Sequence, residues 1–252
     1  MEKEFVKYKE RGSMHWREMM SRDVRHYNAT QQACYDWIMR YLENMHGKKI
    51  LDVGCGDGAL TYSVALCGAE MTGIDTEALG IKLAEENVRS TGENVHCVFI
   101  VGSAYKLPFP DNSFDDVVSC EVIEHVDNPE KMVAEASRVL KPGGKFILTT
   151  PYRLTEVPTD PNHVREYYPR ELERMLMGYF SRVEVKLTHH IFWFGLYTYT
   201  FRRFKRRQFG KWFVNMLALW FRYNPFMIDY SNPTKFDRFV QLVAIAQKDP
   251  VR

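Results

Sequence analysis

The chain has 252 residues, an ordinary apolar fraction of 45% and a formal net charge of +2. This length suits one large domain or one domain with an appendage, and the small net charge does not by itself argue for a nucleic-acid partner. The five cysteines are scattered and include no C-x-x-C pair, which argues against a disulfide framework or a zinc site. The charged N-terminus lacks the apolar segment of a signal peptide, so we expect a cytoplasmic protein.

The first 46 residues are polar and predict a helical segment. Apolar residues recur at helical spacing near its end, which predicts a helix packed on the main domain. Its role has two open interpretations, a scaffold helix and a lid over the glycine loop described below. The residues with helical spacing are Trp37, Ile38, Tyr41 and Leu42. The candidate contacts of a lid are His15, His26 and Tyr27.

From residue 50 onward, predicted strands alternate with predicted helices, which indicates βαβ units and a parallel sheet covered on both faces. The strands are expected at 50–53, 70–74, 95–101, 114–119, 145–150, 182–187 and 239–246, with a turn at 141–144. The helices are expected at 59–67, 77–90, 129–140 and 169–178. About 50 residues separate the last two strands, far more than a hairpin needs, so we expect a functional insertion there.

The glycine loop, residues 50–58 with the sequence Ile-Leu-Asp-Val-Gly-Cys-Gly-Asp-Gly, predicts a turn from a strand into a helix around a nucleotide-like ligand. Two cofactors fit this loop. Gly54, Gly56 and Ala59 satisfy the spacing of the dinucleotide fingerprint, and Asp75 follows about 20 residues later, where an acid takes ribose hydroxyls. An NAD-dependent oxidoreductase is therefore one hypothesis.

The same loop, written Asp52-x-Gly54-x-Gly56-x-Gly58, resembles the first motif of class I S-adenosylmethionine-dependent methyltransferases. The resemblance covers about residues 48–151. Residues 102–109 resemble the segment that cradles the adenine, 114–118 the fourth strand, and 141–151 the fifth strand with its preceding turn. The cofactor-binding residues that the resemblance implies are Asp52, Gly54, Gly56, Gly58, Asp75, Ser103, Ala104 and Glu121. Many relatives have Asp at the position of Ser103, whose hydroxyl can still hydrogen-bond near the adenine.

A cluster of ligand-type side chains follows the fourth strand, at the sheet edge where ligands bind in such folds. Glu121, Glu124 and His125 converge if the segment forms one helical turn. Such a set suits acid–base work or a divalent metal. The alternative is structural, with Glu124 capping a helix and His125 packed under the cofactor.

His163 lies after the fifth strand, within reach of the same cluster. The combination resembles two methyltransferase branches, the ubiquinone-biosynthesis O-methyltransferases of the methyltransferase-11 type and the small-RNA 3′-terminal 2′-O-methyltransferases. It implies the metal ligands Glu121, Glu124, His125 and His163, for Mg²⁺ or a similar ion, with Glu124, His125 and His163 as catalytic residues. The metal would lower the pKa of an acceptor hydroxyl. The alternative for His163 is a loop histidine that orders a lid.

The insertion has no acidic residue between positions 185 and 228, and its basic residues interleave with aromatics. On a helix, one broad face would contain Phe201, Phe204, Trp212, Phe213, Met216 and Trp220. Three interpretations are open: peripheral contact with a membrane through 189–224, a plain substrate lid, and an RNA-binding surface. The near-neutral net charge counts against a nucleic-acid partner.

These patterns predict an α/β, Rossmann-like, seven-stranded and mostly parallel sheet flanked by helices, with an N-terminal helical lid and a helical insertion before the last strand. The predicted units are residues 1–46, the cofactor-binding core 47–187, the insertion 188–237 and the final strand 238–252. The predicted function is methyl transfer from S-adenosylmethionine to a hydroxyl of a small hydrophobic acceptor, such as a quinone precursor or another lipid-like molecule. The alternatives are a metal-dependent RNA 2′-O-methyltransferase and the NAD-dependent oxidoreductase.

Overall fold

The structure is a computed structural model that describes residues 7–158, 160–199, 208–230, 233–234 and 237–250. The strands are β1 (Lys49–Val53), β2 (Glu70–Asp75), β3 (Cys97–Val101), β4 (Phe114–Cys120), β5 (Leu140–Pro151), β6 (Arg182–His190) and β7 (Phe239–Gln247). The helices are α1 (Lys7–Arg11), α2 (Met14–Met20), α3 (Ala29–Tyr41), α4 (Ala59–Ala65), α5 (Ala78–Thr91), α6 (Pro129–Val139), α7 (Pro169–Met177), α8 (Ile191–Thr198) and α9 (Phe209–Trp220).

The seven strands form one sheet in the order β3-β2-β1-β4-β5-β7-β6. The first five strands pair in parallel, and β7 is antiparallel to both of its neighbours. Four of the five β1 residues are buried, as expected for a strand covered on both faces. The predicted fold class is therefore confirmed.

The strand register gathers the predicted site at one edge of the sheet. Asp52 is paired with Val118, so the glycine loop after β1 lies beside the segment that follows β4. Pro151 at the end of β5 is paired with Gln241 of β7, which brings the last strand to the same edge. The carboxyl ends of the parallel strands therefore face a common space, the usual location of a ligand in this architecture.

The N-terminal region packs firmly on the core through α3. Trp37 and Ile38 are buried, as their spacing predicted, and the Trp37 indole donates a hydrogen bond to the main-chain carbonyl of Phe226 at 2.9 Å. That bond joins α3 to the end of the insertion. Burying one large aromatic side chain contributes about 2–3 kcal/mol, so this helix is part of the stable structure.

The insertion before the last strand is helical, as predicted. It forms two described helices, α8 and α9, and the predicted face from Phe201 to Trp220 is only partly testable because residues 200–207 lie outside the described residues. The basic cluster at 202–207 lies there too. Helix α8 begins at Ile191, where the His190 ring accepts a hydrogen bond from the Phe192 N–H at 3.2 Å and caps the helix. In the part of the chain that is described, no helix combines the length and apolar character needed to cross a bilayer.

The turn predicted at 141–144 is part of strand β5, which is longer than expected. Gly143 has a φ of +82° within it, and the pairing of β4 with β5 shifts register between Phe114 and Asp116. The Pro-Gly-Gly sequence therefore makes an irregularity within the strand, a position where glycine is common. The remaining element ends differ from expectation by a few residues.

Candidate functional site

The glycine loop turns sharply between β1 and α4. Gly54, Gly56 and Gly58 all have positive φ, between +55° and +82°, a backbone region that residues other than glycine rarely adopt. A Cβ on Gly54 would collide with the Val122 side chain. Glycine at this position is thus required by both conformation and space, and it brings the main chain close to the segment after β4.

Two carboxyl groups, one buried and one half-buried, lie at this loop. Asp52 is fully buried and accepts a hydrogen bond from the Thr61 hydroxyl at 2.7 Å; burial, with the charge of Asp75 added, raises its pKa to about 7. Asp75, at the end of β2, accepts the N–H of Gly56 at 2.9 Å on one oxygen and the N–H of Glu77 at 2.9 Å on the other. Asp75, the residue predicted to bind the ribose hydroxyls, is therefore held rigidly beside the loop.

Tyr8 of α1 covers the glycine loop, and no sequence pattern predicts this contact. Its hydroxyl lies where a Cβ on Gly56 would stand, and its ring packs against Gly80. Burial and the nearby charge of Asp75 raise the pKa of the Tyr8 hydroxyl well above its usual range. The main-chain N–H of Trp16 in α2 also donates a hydrogen bond to the Asp57 carboxylate at 3.1 Å. The N-terminal helices are therefore bonded to the loop.

Three residues were candidates, from the sequence, for contacts of a lid over the glycine loop. Two of them, His26 and Tyr27, have other surroundings. His26 is mostly exposed and pairs with Asp23 at 3.5 Å, and Tyr27 is buried in the core that includes α3. The covering residue in the described chain is Tyr8. The lid itself stays a prediction.

The segment after β3 is anchored to α6. The Glu135 carboxylate accepts the N–H of Leu107 at 2.7 Å, and Arg138 donates to the Leu107 carbonyl at 3.0 Å and to Glu135. Ser103 accepts the Tyr105 N–H at 3.2 Å through its hydroxyl oxygen. The predicted adenine-contacting segment therefore has a fixed main-chain path beside Asp75, whose carbonyl accepts the N–H of residue 102 at 2.9 Å.

Three of the four predicted metal ligands come together. Ligand-type atoms of Glu124, His125 and His163 lie within 4.8 Å of one another, and the two imidazole centroids are 5.0 Å apart. Glu124 is fully buried and accepts the Thr150 hydroxyl at 3.0 Å. Glu121 and Glu124 were expected to share one helical turn. In the described segment after β4, the helical turn spans only Ile123–His125, so Glu121 lies before it and the expected i, i+3 geometry does not form.

Glu121 lies outside that group of three. It has a φ of +55°, and its carboxylate accepts a hydrogen bond from the Gln241 amide of β7. Its predicted roles as a cofactor contact and as a metal ligand stay predictions. Left-handed backbone at a residue other than glycine is uncommon and is found often at functional sites.

A cavity of about 270 Å³ opens beside the group of three. Its walls combine apolar and polar side chains, which is typical of a small-molecule site. The apolar or aromatic part consists of Pro151, Tyr152, Leu154, Phe194 and Val240, and the polar part of Glu121, His163, Glu166 and Gln241. Phe194 belongs to α8, so the insertion contributes directly to this cavity.

Comparison with known proteins assigns the central segment. Residues 51–148 match the family model described as a methyltransferase domain. Ubiquinone biosynthesis O-methyltransferases of Chromobacterium violaceum and Idiomarina loihiensis are 39% and 36% identical to the chain, over 46% and 45% of its length and 49% and 46% of theirs. A sterol 4-C-methyltransferase of Caenorhabditis elegans is 34% identical over 42% of the chain and 31% of its own length. The chain thus spans about half the length, or less, of these curated relatives.

Solved structures agree on the fold. Phosphoethanolamine N-methyltransferase 2 of Haemonchus contortus, in complex with phosphomonomethylethanolamine and S-adenosylhomocysteine, has a TM-score of 0.67 at 18% identity, over 98% of this chain and 58% of that one. The [4+2]-cyclase SpnF has a TM-score of 0.60 at 22% identity, over 86% and 80%. Likeness at this identity concerns architecture alone, because one fold can host different reactions. The domain match, the relatives and the sheet order together show that residues 51–148 are a methyltransferase domain of the S-adenosylmethionine-dependent type.

Proposed function

We propose that the chain transfers a methyl group from S-adenosylmethionine to a hydroxyl of a small hydrophobic acceptor, such as a quinone precursor or another lipid-like phenol. The observation that carries this proposal is the group of Glu124, His125 and His163, whose His163 lines a mostly apolar cavity on the same sheet edge as the glycine loop. The named activity of the ubiquinone biosynthesis relatives supports the oxygen acceptor.

The donor side of the site fits the methyl donor. The Asp75 carboxylate is oriented by main-chain hydrogen bonds from Gly56 and Glu77 beside the glycine loop, and a carboxylate with two oxygens suits two ribose hydroxyls. Asp52 and the main-chain groups of Gly54, Gly56 and Gly58 are proposed to hold the methionine moiety. Ser103, Ala104 and Glu121 are proposed as further cofactor contacts. The bound cofactor supplies an already activated methyl group, so the protein's work is mainly alignment.

The acceptor side fits a hydroxyl that must lose a proton. Glu124 and the two imidazoles are close enough to receive that proton or to hold a divalent cation, which would supply Lewis acidity when bound. The donor set contains one carboxylate and two imidazoles. That set favours Mn²⁺, Fe²⁺, Co²⁺ or Zn²⁺ over Mg²⁺, because imidazole suits borderline transition metals.

The cavity size and lining limit the acceptor. A volume of about 270 Å³ accommodates one aromatic ring with small substituents, and the Phe194 and Tyr152 side chains offer surfaces on which such a ring can pack. Leu154, at the rim, is 48% exposed and extends the apolar surface outward. The apolar tail of an acceptor would pack on this rim.

The test is release of S-adenosylhomocysteine from the methyl donor with a catechol that carries an alkyl chain. We expect turnover that excess EDTA abolishes and that Mn²⁺ or Co²⁺ restores. His163→Ala is expected to lower kcat by about 100-fold, the usual effect of losing a positioned acid–base group, whereas His26→Ala, which changes a mostly exposed histidine, serves as the matched control. Stabilisation by NAD without any S-adenosylhomocysteine release would refute the proposal. Undiminished activity in EDTA would remove its metal component.

We also propose peripheral contact of residues 189–224 with a membrane that carries anionic lipids. The inner side of α9 is fixed to the N-terminal region, because the buried Asn215 amide donates to the carbonyls of Val24 at 2.8 Å and Tyr27 at 2.6 Å. The insertion exposes large aromatics along its length, a composition suited to the bilayer interface. The exposed aromatics are Phe192, Tyr199, Phe209, Trp212, Phe213, Trp220, Phe221 and Tyr223.

Sedimentation with anionic vesicles tests this contact. The wild-type chain is expected to bind at low salt and to release as ionic strength screens its basic residues. A Trp212→Ser, Trp220→Ser double variant should lose vesicle binding, whereas Tyr179→Ser, which changes an exposed aromatic outside the insertion, should not. Absence of vesicle binding by the wild type at low salt would contradict the proposal.

A further inference from the structure

Glu166 is a buried carboxylate on the wall of the cavity, and no motif in the sequence singles it out. Its side chain is 3% exposed, and its Oε1 lies 3.0 Å from Nδ1 of His163. A carboxyl group is costly to bury unless a strong hydrogen bond compensates the lost hydration. The contact with His163 is such a bond, and it ties a buried acid to a proposed metal ligand.

This contact determines which nitrogen of His163 has the lone pair. A carboxylate oxygen accepts a hydrogen bond and has none to donate, so the imidazole nitrogen facing it carries the proton. In the neutral ring the other nitrogen, Nε2, then has the lone pair that accepts a proton or binds a metal ion. The pairing therefore specifies Nε2 as the reactive nitrogen.

His125 is arranged in the same way by a different acceptor. Its Nδ1 lies 3.1 Å from the main-chain carbonyl of Asn162, one residue before His163. A carbonyl is likewise only an acceptor, so Nε2 of His125 also has the lone pair. Two imidazoles with Nδ1 bonded to an outer acceptor form the pattern seen around protein-bound metals, where outer groups orient the ligands.

The loop that carries both outer acceptors is bonded to the third member of the group. The main-chain N–H groups of Val164 and Arg165 donate to the carbonyl of Glu124 at 2.8 and 3.2 Å. The loop and the turn after β4 thus hold each other, and the position of Glu166 relative to Glu124 is set by main-chain bonds. The arrangement is preorganised, which a binding site requires.

We propose that Glu166 is a positioning residue that holds His163 in its Nδ1–H tautomer, so that Nε2 completes, with Glu124 and His125, a three-donor site for a divalent transition-metal ion. The inference rests on the metal-assisted form of the proposed function. It adds a residue of the cavity wall whose effect on the metal ion is transmitted through His163.

The test uses Co²⁺ as the probe and two variants. Glu166→Ala removes the acceptor, and Glu166→Gln keeps an amide oxygen of the same shape that can still accept from Nδ1. Loss of an outer partner typically costs 10- to 100-fold in metal affinity, so Glu166→Ala should raise the Co²⁺ Kd by that factor. Glu166→Gln should recover most of the loss, and Glu156→Gln, an exposed position in the same loop, should leave the Kd unchanged.

A second measurement needs neither metal nor activity. Imidazole ¹⁵N NMR of the metal-free chain should show neutral His163 protonated on Nδ1, and Glu166→Ala should convert it to a mixture of both tautomers. If Glu166→Ala does not fold, the isosteric Glu166→Gln and the wild-type spectrum still decide. An Nε2–H tautomer in the wild type, wild-type Co²⁺ affinity in Glu166→Ala, or no Co²⁺ binding by the wild type would each overturn the inference.

Release of S-adenosylhomocysteine, measured in parallel, separates the two proposals. Continued release together with a failed tautomer or Co²⁺ result refutes the role of Glu166 and leaves methyl transfer intact. Absence of release together with the expected tautomer and Co²⁺ affinity refutes methyl transfer and supports the site.

Discussion

Asp52 should make the stability of this chain depend on pH in a direction unusual for an acid. Its carboxyl group is 1% exposed, and burial raises its pKa from 3.8 to about 7. Asp52→Asn removes the titration while keeping the shape and an oxygen that can accept the Thr61 hydroxyl. The variant therefore isolates the cost of ionising this buried group.

The sign and size follow from proton linkage. Between pH 4 and 7 the folded chain keeps the Asp52 proton while the unfolded chain has lost it, so stability falls as pH rises through this window. With pKa values of 3.8 unfolded and about 7 folded, the loss from pH 5 to pH 8 is about 2.5 kcal/mol. Asp52→Asn should gain stability relative to the wild type by that amount over the same interval.

Urea unfolding at pH 5 and pH 8 measures this difference, since the midpoint and slope give the free energy of unfolding at each pH. Asp249→Asn, an exposed acid near the C-terminus, is the control and should show no such pH-dependent gain. If the difference between Asp52→Asn and the wild type is the same at both pH values, Asp52 is not a buried group with a raised pKa, and the electrostatic account of the glycine loop fails.

Two further predictions concern the N-terminal region. Tyr8→Ala should weaken S-adenosylhomocysteine binding about tenfold, measured by calorimetry, because it uncovers the glycine loop at Gly56. Tyr8→Phe separates the contribution of ring packing from that of the hydroxyl. Equal affinity in the wild type and both variants would show that Tyr8 contributes to packing alone. Asn215→Leu should lower the free energy of unfolding by about 3 kcal/mol, because the Ala29 N–H and two carbonyls lose buried partners. An unchanged melting temperature in Asn215→Leu would show that water replaces the amide.

The fold was predictable because its signals are local. Strands alternating with helices, and Gly54, Gly56 and Gly58 after a buried strand, each follow from the geometry of a few neighbouring residues. Asp75 was placed correctly beside the loop because β2 must pair with β1 in a parallel sheet. These features require no knowledge of distant contacts.

The site was predictable only where spacing determines geometry. Glu124 and His125 are adjacent in one turn and stay together, but Glu121 stands before that turn with left-handed backbone, which the sequence does not reveal. Tyr8 is 48 residues from Gly56, and a tyrosine on a short polar helix predicts no particular partner. Glu166 is three residues from His163, yet only the buried packing of the loop shows that they bond.

The insertion and the N-terminal region, predicted as separate appendages, are joined to each other. The amides of Asn215 and Asn224 in the insertion bond the main chain between Val24 and Ala29, and Trp37 bonds the carbonyl of Phe226. The same N-terminal region covers the glycine loop through Tyr8. Because buried amide bonds of this kind fix the relative position of the segments they join, the cover of the donor side and the wall of the acceptor cavity are parts of one packed layer. The proposed methyl donor and acceptor would then be covered by segments that pack together, and such a cover excludes water from a transfer that needs close alignment.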